Sequence, residues 1–202
     1  QRQMCIRDSK NRGDLLITHW GFSGPAVLKL SSIASRELFE ENYKFNLIIK
    51  WSNLDYKELK EKIDNLKLNN GKLNLINLRP LHHLTKRLWI FLLNKIDIDK
   101  EKKWSDLLAN EREKMINILV KDEYSISNKG PFGEEFVTSG GVSIDEVNFK
   151  SMESLICSGL FFSGEVLNVD GITGGFNFQH CWTSGWLAGQ AVSKLFNKVT
   201  NQ

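Results

Sequence analysis

The segment Gly174-Gly175-Phe176-Asn177 is where this chain could hold a ligand. Two adjacent glycines ahead of a helix permit positive φ and let a ligand come close to bare backbone. The first N–H groups of the helix lack internal partners, and the helix dipole places partial positive charge there. An anion or an electron-rich carbonyl is favoured at such a spot. Upstream, Gly164-Glu165 follows the apolar run Gly159-Leu160-Phe161-Phe162, which reads as a buried strand over Gly159 to Ser163. An acid at the carboxyl end of a strand, beside a glycine turn, is placed to hydrogen-bond a sugar-like hydroxyl. A plain surface carboxylate is the alternative. Asp170-Gly171 reads as a turn.

Other reactive side chains are sparse. His19, within Thr18-His19-Trp20-Gly21, could face a substrate or carry a proton; the alternative is a satisfied structural histidine. The pair His82-His83 is expected on a helix, where adjacent residues cannot face one way, and no Cys or carboxylate is spaced to complete a metal site. No metal is expected. His180, beside Cys181, reads as packing. The cysteines Cys5, Cys157 and Cys181 are odd in number and form no C-x-x-C. Cys157 and Cys181, in apolar surroundings, read as buried, inert thiols, and a reducing, cytoplasmic setting is the expectation.

The elements that would position these residues follow from periodicity. Leu15 to His19 is a short strand candidate. It runs through Ser23-Gly24-Pro25 into a helix at Ala26 to Ser32, with Ser23 as N-cap and Pro25 in the first turn. Lys44 to Trp51 reads as a strand. Asp55 to Ile63, His82 to Leu93 and Trp104 to Val120 carry helical apolar stripes, and together read as a small bundle. Phe132 to Val142 reads as a strand running into the turn Thr138-Ser139-Gly140-Gly141. Asn177 to Phe196 is a last helix, whose small residues Ser184, Gly185, Ala188 and Gly189 would let it lie close to a sheet.

The 202 residues are 41% hydrophobic and 25% charged, which suits a globular domain with a real core. Formal net charge is +3, and residues 136–202 hold three Lys against five Asp or Glu, so the basic excess lies upstream. Lysines mixed with acids mark solvated helix faces, so no nucleic-acid partner is expected. No run reaches the roughly 18 apolar residues of a membrane helix, and no signal-peptide pattern appears. Gln1 to Ser9 fits neither helix nor strand period and reads as an artefact or tag.

The segments LLITHWGFSGPAVLKLSS, FVTSGGV and GLFFSGEVLNVDGITGGFNFQHCWTSGWLAG, in this order, resemble the C-terminal half of a bacterial flavoprotein family. Its members are NAD(P)/FAD-dependent oxidoreductases, some described as aminoacetone oxidases or 3-dehydro-bile-acid reductases. The resemblance spans residues 13–195. It implies an α/β fold (α+β for a fragment): a split FAD-binding Rossmann-like domain interrupted by an inserted domain of β-barrel and helical parts. Residues 10–135 would form the insert, with strands over 10–54 and the helical bundle over 55–123. Residues 136–202 would be the C-terminal segment of the FAD domain. The family's G-x-G-x-x-G loop has no match here, which implies a fragment, inactive alone, whose partner is the missing N-terminal FAD-binding half.

The resemblance also implies roles. Gly164 and Glu165 would meet the ribitol and pyrophosphate side of FAD. Gly174, Gly175, Phe176 and Asn177 would offer backbone N–H groups to the pyrimidine end of the isoalloxazine. The turn of Thr138, Gly140 and Gly141 would approach the flavin, and Asp170 joins the cofactor-binding set. Hydride would pass between a small organic substrate and a nicotinamide or oxygen partner, through flavin. The chain departs from the family pattern at Asn168, where Asp is usual, and at Phe176, where Tyr is usual. The alternative is a non-enzymatic binding module whose basic helical bundle contacts a protein or nucleic acid.

Overall fold

A computed structural model of the chain describes residues 2–6, 9–130, 138–172 and 174–200. In chain order the first elements are β1 (Arg2–Ile6), β2 (Ser9–Gly13), β3 (Leu16–Ile17), β4 (Phe22–Ser23), α1 (Pro25–Ile33), α2 (Ser35–Glu40) and β5 (Phe45–Lys50). Then come α3 (Tyr56–Asn69), α4 (Lys86–Lys95), α5 (Ala109–Val120), β6 (Asp122–Ile126), β7 (Val147–Asn148), β8 (Glu153–Ser154) and α6 (Phe176–Thr200). Short 3₁₀ turns lie at Trp104–Asp106, Ile144–Glu146 and Gly164–Val166. The chain divides into two compact units: Gln1–Thr18, Phe22–Ala26 and Lys44–Ser127 form one, and His19–Gly21, Val27–Tyr43 and Asn128–Gln202 the other.

The first unit is a sheet with helices. Its strands run in the order β2-β1-β5-β6, every pair antiparallel. The expected β-barrel is not formed among the described residues: the sheet is open, with β2 and β6 at its edges. Four short strands supply too little circumference and stagger for closure around a filled interior. β1 is a second correction, because Gln1 to Ser9 was expected to hold no strand. Its ladder is completed from both sides by β2 and β5, so neighbouring strands, and not its own alternation, give it structure.

The helices start where local chemistry sets them. Asp55 accepts the Glu58 backbone N–H at 2.8 Å, and the Glu58 carboxylate accepts the Asp55 N–H at 2.7 Å, a reciprocal cap for α3. Thr85 caps α4 by accepting the Leu88 N–H at 3.2 Å. That start moves His82 and His83 off the helix expected for them, into the preceding turn, where the His83 ring lies 2.9 Å from the Trp51 carbonyl. The stretch expected as one helix from Trp104 breaks into the 3₁₀ turn and α5.

Three tryptophans, Trp51, Trp89 and Trp104, fill the core with 1%, 0% and 0% exposure. Each finds an acceptor for its indole N–H, so large apolar area is buried without an orphaned donor. The acceptor for Trp51 is Asp122, itself 1% exposed. Asp122 also accepts from the Tyr124 hydroxyl at 2.7 Å and from Lys95 Nζ at 2.5 Å. The Lys95 ammonium sits 3.6 Å from the centre of the Tyr124 ring. Burial, then the hydrogen bond and charge of Asp122, push the Tyr124 phenol far above its ordinary range. One carboxylate thus joins β6, the end of β5 and α4.

In the second unit β7 and β8 pair antiparallel, and Val147, Met152 and Leu167 form a small core with Leu187 and Ala188 of α6 against it. The strand expected over Gly159 to Ser163 is reduced to a single bridge between Phe161 and Glu153, and Leu160 is 44% exposed. The strand expected ahead of Thr138 falls on residues 132–137, outside the described residues. Cys157 is exposed and Cys181 half-buried, which corrects the expectation of two buried thiols. Among the described residues no helix is long and apolar enough to cross a membrane.

Asp122→Ala should cost about 3 kcal/mol of stability, because it strands a cation and two donors. The value sits at the low end for a broken buried pair, since Lys95 is 32% exposed. Urea unfolding followed by tryptophan fluorescence measures it, and a loss below about 0.5 kcal/mol would remove the network from the account of the fold.

Candidate functional site

The glycine segment is held from behind by α6. Asn177, 8% exposed, accepts the Gly171 N–H on its Oδ1 at 2.8 Å and donates from Nδ2 to the Gly171 carbonyl at 3.4 Å. Seven residues on, the Ser184 hydroxyl, 2% exposed, accepts the Gly164 N–H at 2.9 Å. Its own proton goes back to the His180 carbonyl at 2.7 Å. Both are buried polar groups with partners, as burial demands. Asn177 therefore acts through its side chain on the fold, besides any role for its backbone N–H. Ser184, expected only as a small residue, proves to be a second hook. Gly185 and Gly189 have no neighbour within 4 Å of a would-be Cβ among the described residues.

The turn at 138–141 runs beside the segment. Val142 N–H donates to the Val166 carbonyl at 2.8 Å and Asn168 N–H to the Val142 carbonyl at 2.9 Å, a parallel bridge of Val142 with Leu167. Gly141 is required for this: a Cβ there would lie 2.3 Å from the Val166 oxygen. Ser139 Oγ donates to Asp170 Oδ2 at 3.0 Å. Two side chains from the start of α2 join this point. Ser35 Oγ lies 3.0 Å from Ser139 Oγ, and Arg36 Nη2 donates to Asn168 Oδ1 at 2.8 Å while lying 3.9 Å from Asp170 Oδ2.

The structure thus brings Gly140, Gly141 and Asp170 into one locality, and ties Gly164 and Asn177 to the same helix. Thr138 and Glu165 are exposed, without a hydrogen bond or ion pair among the described residues. His19 touches the Trp20 ring edge-on at 4.2 Å, and no contact among the described residues links it to the glycine turns. Phe176 is 66% exposed at the start of α6. A Cβ at Gly140 or Gly175 would meet nothing within 4 Å, and at Gly174 nothing nearer than 3.9 Å. Gly140 and Gly174 hold φ of +105° and +146°. The site is an open floor of backbone at the N-terminus of a long helix. It can offer N–H donors and partial positive charge to a flat, electron-rich group. Among the described residues no cluster of His, Cys, Asp and Glu could hold a metal.

Arg36 and Ser35 escaped the sequence reading. They lie 132 and 104 residues from their partners, and a short amphipathic helix with one arginine carries no signal of a distant contact.

Residues 18–191 match the HI0933-like protein Rossmann domain, so the chain belongs to that family. It is 31% identical over 179 residues to a ribosomal RNA dihydrouridine synthase of Escherichia coli, a match covering 89% of this chain and 42% of that protein. It is 30% identical over 193 residues to the protein of the same name from Haemophilus influenzae, covering 95% and 44%. It is 28% identical over 207 residues to a 3-dehydro-bile acid delta(4,6)-reductase of Clostridium scindens, covering 96% and 46%. The chain spans less than half the length of these relatives.

Asn177→Ala should lower stability by about 1–3 kcal/mol, because it leaves both backbone groups of Gly171 without their partners. Thermal unfolding followed by circular dichroism checks this. An unchanged melting curve would mean that α6 does not hold the turn.

Proposed function

We propose that the protein is an FAD-dependent oxidoreductase, and that this chain supplies the part of the site that receives the flavin ring. The observation that carries the reading is the Gly174-Gly175 turn: backbone open on its ligand side, at the head of a 25-residue helix, in a chain of a Rossmann-domain family. The residues fit such a group. Gly140 and Gly175 leave space that the fold itself does not use, and a flat ring would fill it.

On this reading Gly174, Gly175, Phe176 and Asn177 present N–H groups and helix-end charge to the ring. Gly164 and Glu165 face its ribitol and pyrophosphate side. Thr138, Gly140, Gly141 and Asp170 border it. When bound, the flavin supplies the hydride chemistry. The chain's contribution is to bind, orient and stabilise negative charge at the helix end without moving at the moment of reaction. His19 is the candidate proton carrier.

The substrate proposed is a small organic molecule with a carbon–carbon double bond conjugated to a carbonyl, and the electron donor a nicotinamide. The relatives' names support this class. Dihydrouridine differs from uridine by two hydrogens across such a bond, and a 3-dehydro delta(4,6) compound carries double bonds conjugated to its 3-oxo group. A second reading, favoured by the two relatives named for ribosomal RNA, puts an RNA uridine in the same place.

The partner proposed for this chain is the N-terminal FAD-binding half of the family's domain. α6 has a second apolar face, with Phe178, Trp182, Trp186 and Phe196 each 65–68% exposed. Among the described residues every strand pair is antiparallel, so no parallel Rossmann sheet covers that face. The free thiols of Cys157 and Cys181 support a reducing, cytoplasmic setting.

The full-length protein should purify with flavin absorption bands that bleach on anaerobic mixing with a nicotinamide donor. Gly175→Ala should keep the melting temperature and lose flavin, since its Cβ meets nothing in the protein. A folded, colourless protein that takes up no added FAD would refute the reading. Reduction of a free enone but not of an RNA uridine, or the reverse, separates the two substrates.

A further inference from the structure

We propose that Arg36 is a positioning residue that holds the turn at 168–171 to the start of α2, where Ser35 holds the turn at 138–141, and so sets the gap between the two open glycine floors; this rests on the flavin reading above. The geometry begins at α2. Leu30, Ala34 and Leu38 are 1%, 1% and 5% exposed, so the residues between them stand on a packed base. From that base Arg36 Nη2 reaches Asn168 Oδ1 at 2.8 Å and approaches Asp170 Oδ2 at 3.9 Å. Ser139 has one proton, and it goes to Asp170 at 3.0 Å. Ser35 must then donate to Ser139 across their 3.0 Å contact. The order is Ser35 to Ser139 to Asp170, with Arg36 bound alongside to Asn168. Three segments far apart in sequence are tied at one point.

Gly140 follows Ser139 directly, and Gly174 follows Asp170 by four residues. The separation of these two floors is therefore governed by how Ser139 and Asp170 are held. The Arg36 side chain is 65% exposed, so its charge is screened and its stabilising worth is small. What it adds is direction: a rigid, planar guanidinium whose Nη2 meets the 168–170 turn from one side. Misplacing a bound ring by about 1 Å is enough to impair its function. Asn168 offers the arginine a neutral oxygen, which leaves a single carboxylate, Asp170, to align.

The test uses the full-length protein loaded with FAD, with Arg36→Ala, Arg36→Lys, Ser139→Ala and Asn168→Asp. Three readouts are FAD affinity by fluorescence, the visible spectrum of bound flavin, and amide hydrogen exchange at 138–142 and 168–172. Arg36→Ala should raise the FAD dissociation constant about threefold to tenfold, the scale of one charge-assisted hydrogen bond at a half-open site. It should also shift the flavin spectrum and speed exchange in both turns, with the melting temperature held. Arg36→Lys should recover only part of the affinity, Ser139→Ala should lose less than Arg36→Ala, and Asn168→Asp should bind as well as the parent. Unchanged affinity, spectrum and exchange in Arg36→Ala would overturn the assignment while leaving the flavin reading intact. So would a lowered melting temperature with unchanged affinity, the mark of a merely structural arginine. A parent protein that takes up no flavin would overturn both.

Discussion

The candidate site depends on a two-point hold by α6. Ser184 binds Gly164 and Asn177 binds Gly171, so hooks seven residues apart on the helix grip points seven residues apart on the chain, in opposite order. Seven helical residues rise about 10.5 Å. Seven extended residues would span about 23 Å. The gripped segment cannot be extended, and it is not: it folds into the 3₁₀ turn at Gly164–Val166, with Gly164 at φ +73°, and then turns again before Gly171. Leu167, 1% exposed, points into the small core, and Val169 packs against it. Moving either hook by one helical position would turn it about 100° away from its target.

α6 carries apolar residues on two faces. One face meets the core of its unit through Leu187 and Ala188, with Asn177 and Ser184 as the polar hooks within it. The other bears Phe178, Trp182, Trp186 and Phe196, at spacings that return to the same side of the helix. The exposed stripe is larger than scattered surface residues would give, and such patches mark contact surfaces. The site's helix is thus packed on one side against its own unit and carries Phe178, Trp182 and Trp186 exposed on the other. On the reading proposed above, a second layer would complete the floor from that side.

Some of this was legible in the residues and some was not. The helices at Pro25–Ile33, Tyr56–Asn69 and Phe176–Thr200 and the strand at Phe45–Lys50 follow from apolar spacing, a local signal. The supposed strand Gly159 to Ser163 misled because a short apolar run reads the same in a strand and in a loop over a small core. The same ambiguity made Cys157 look buried. β1 was invisible because its stability is supplied by its neighbours. The barrel was carried by resemblance, and closure is a property of strand number and stagger that no local pattern encodes. Arg36 was hidden for the same reason as β1: its meaning lies in residues more than a hundred positions away.

The glycines show where structure adds most to sequence. All look alike as letters, yet the fold sorts them. Gly141 and Gly171 are demanded by the protein itself, since a Cβ would lie 2.3 Å from the Val166 oxygen in one case and 2.7 Å from the Asn177 amide oxygen in the other. Gly140 faces open space but sits at φ +105°, which itself selects glycine; Gly175 faces open space and needs no such φ. A glycine whose backbone could carry a side chain without a clash, placed at the head of a helix, costs conformational entropy and returns no packing. The return must come from something else that approaches that backbone. Gly140 and Gly175 stand on the two turns that Ser139, Asp170 and Asn177 fix in place, so the positions the fold leaves empty are the positions it most firmly locates.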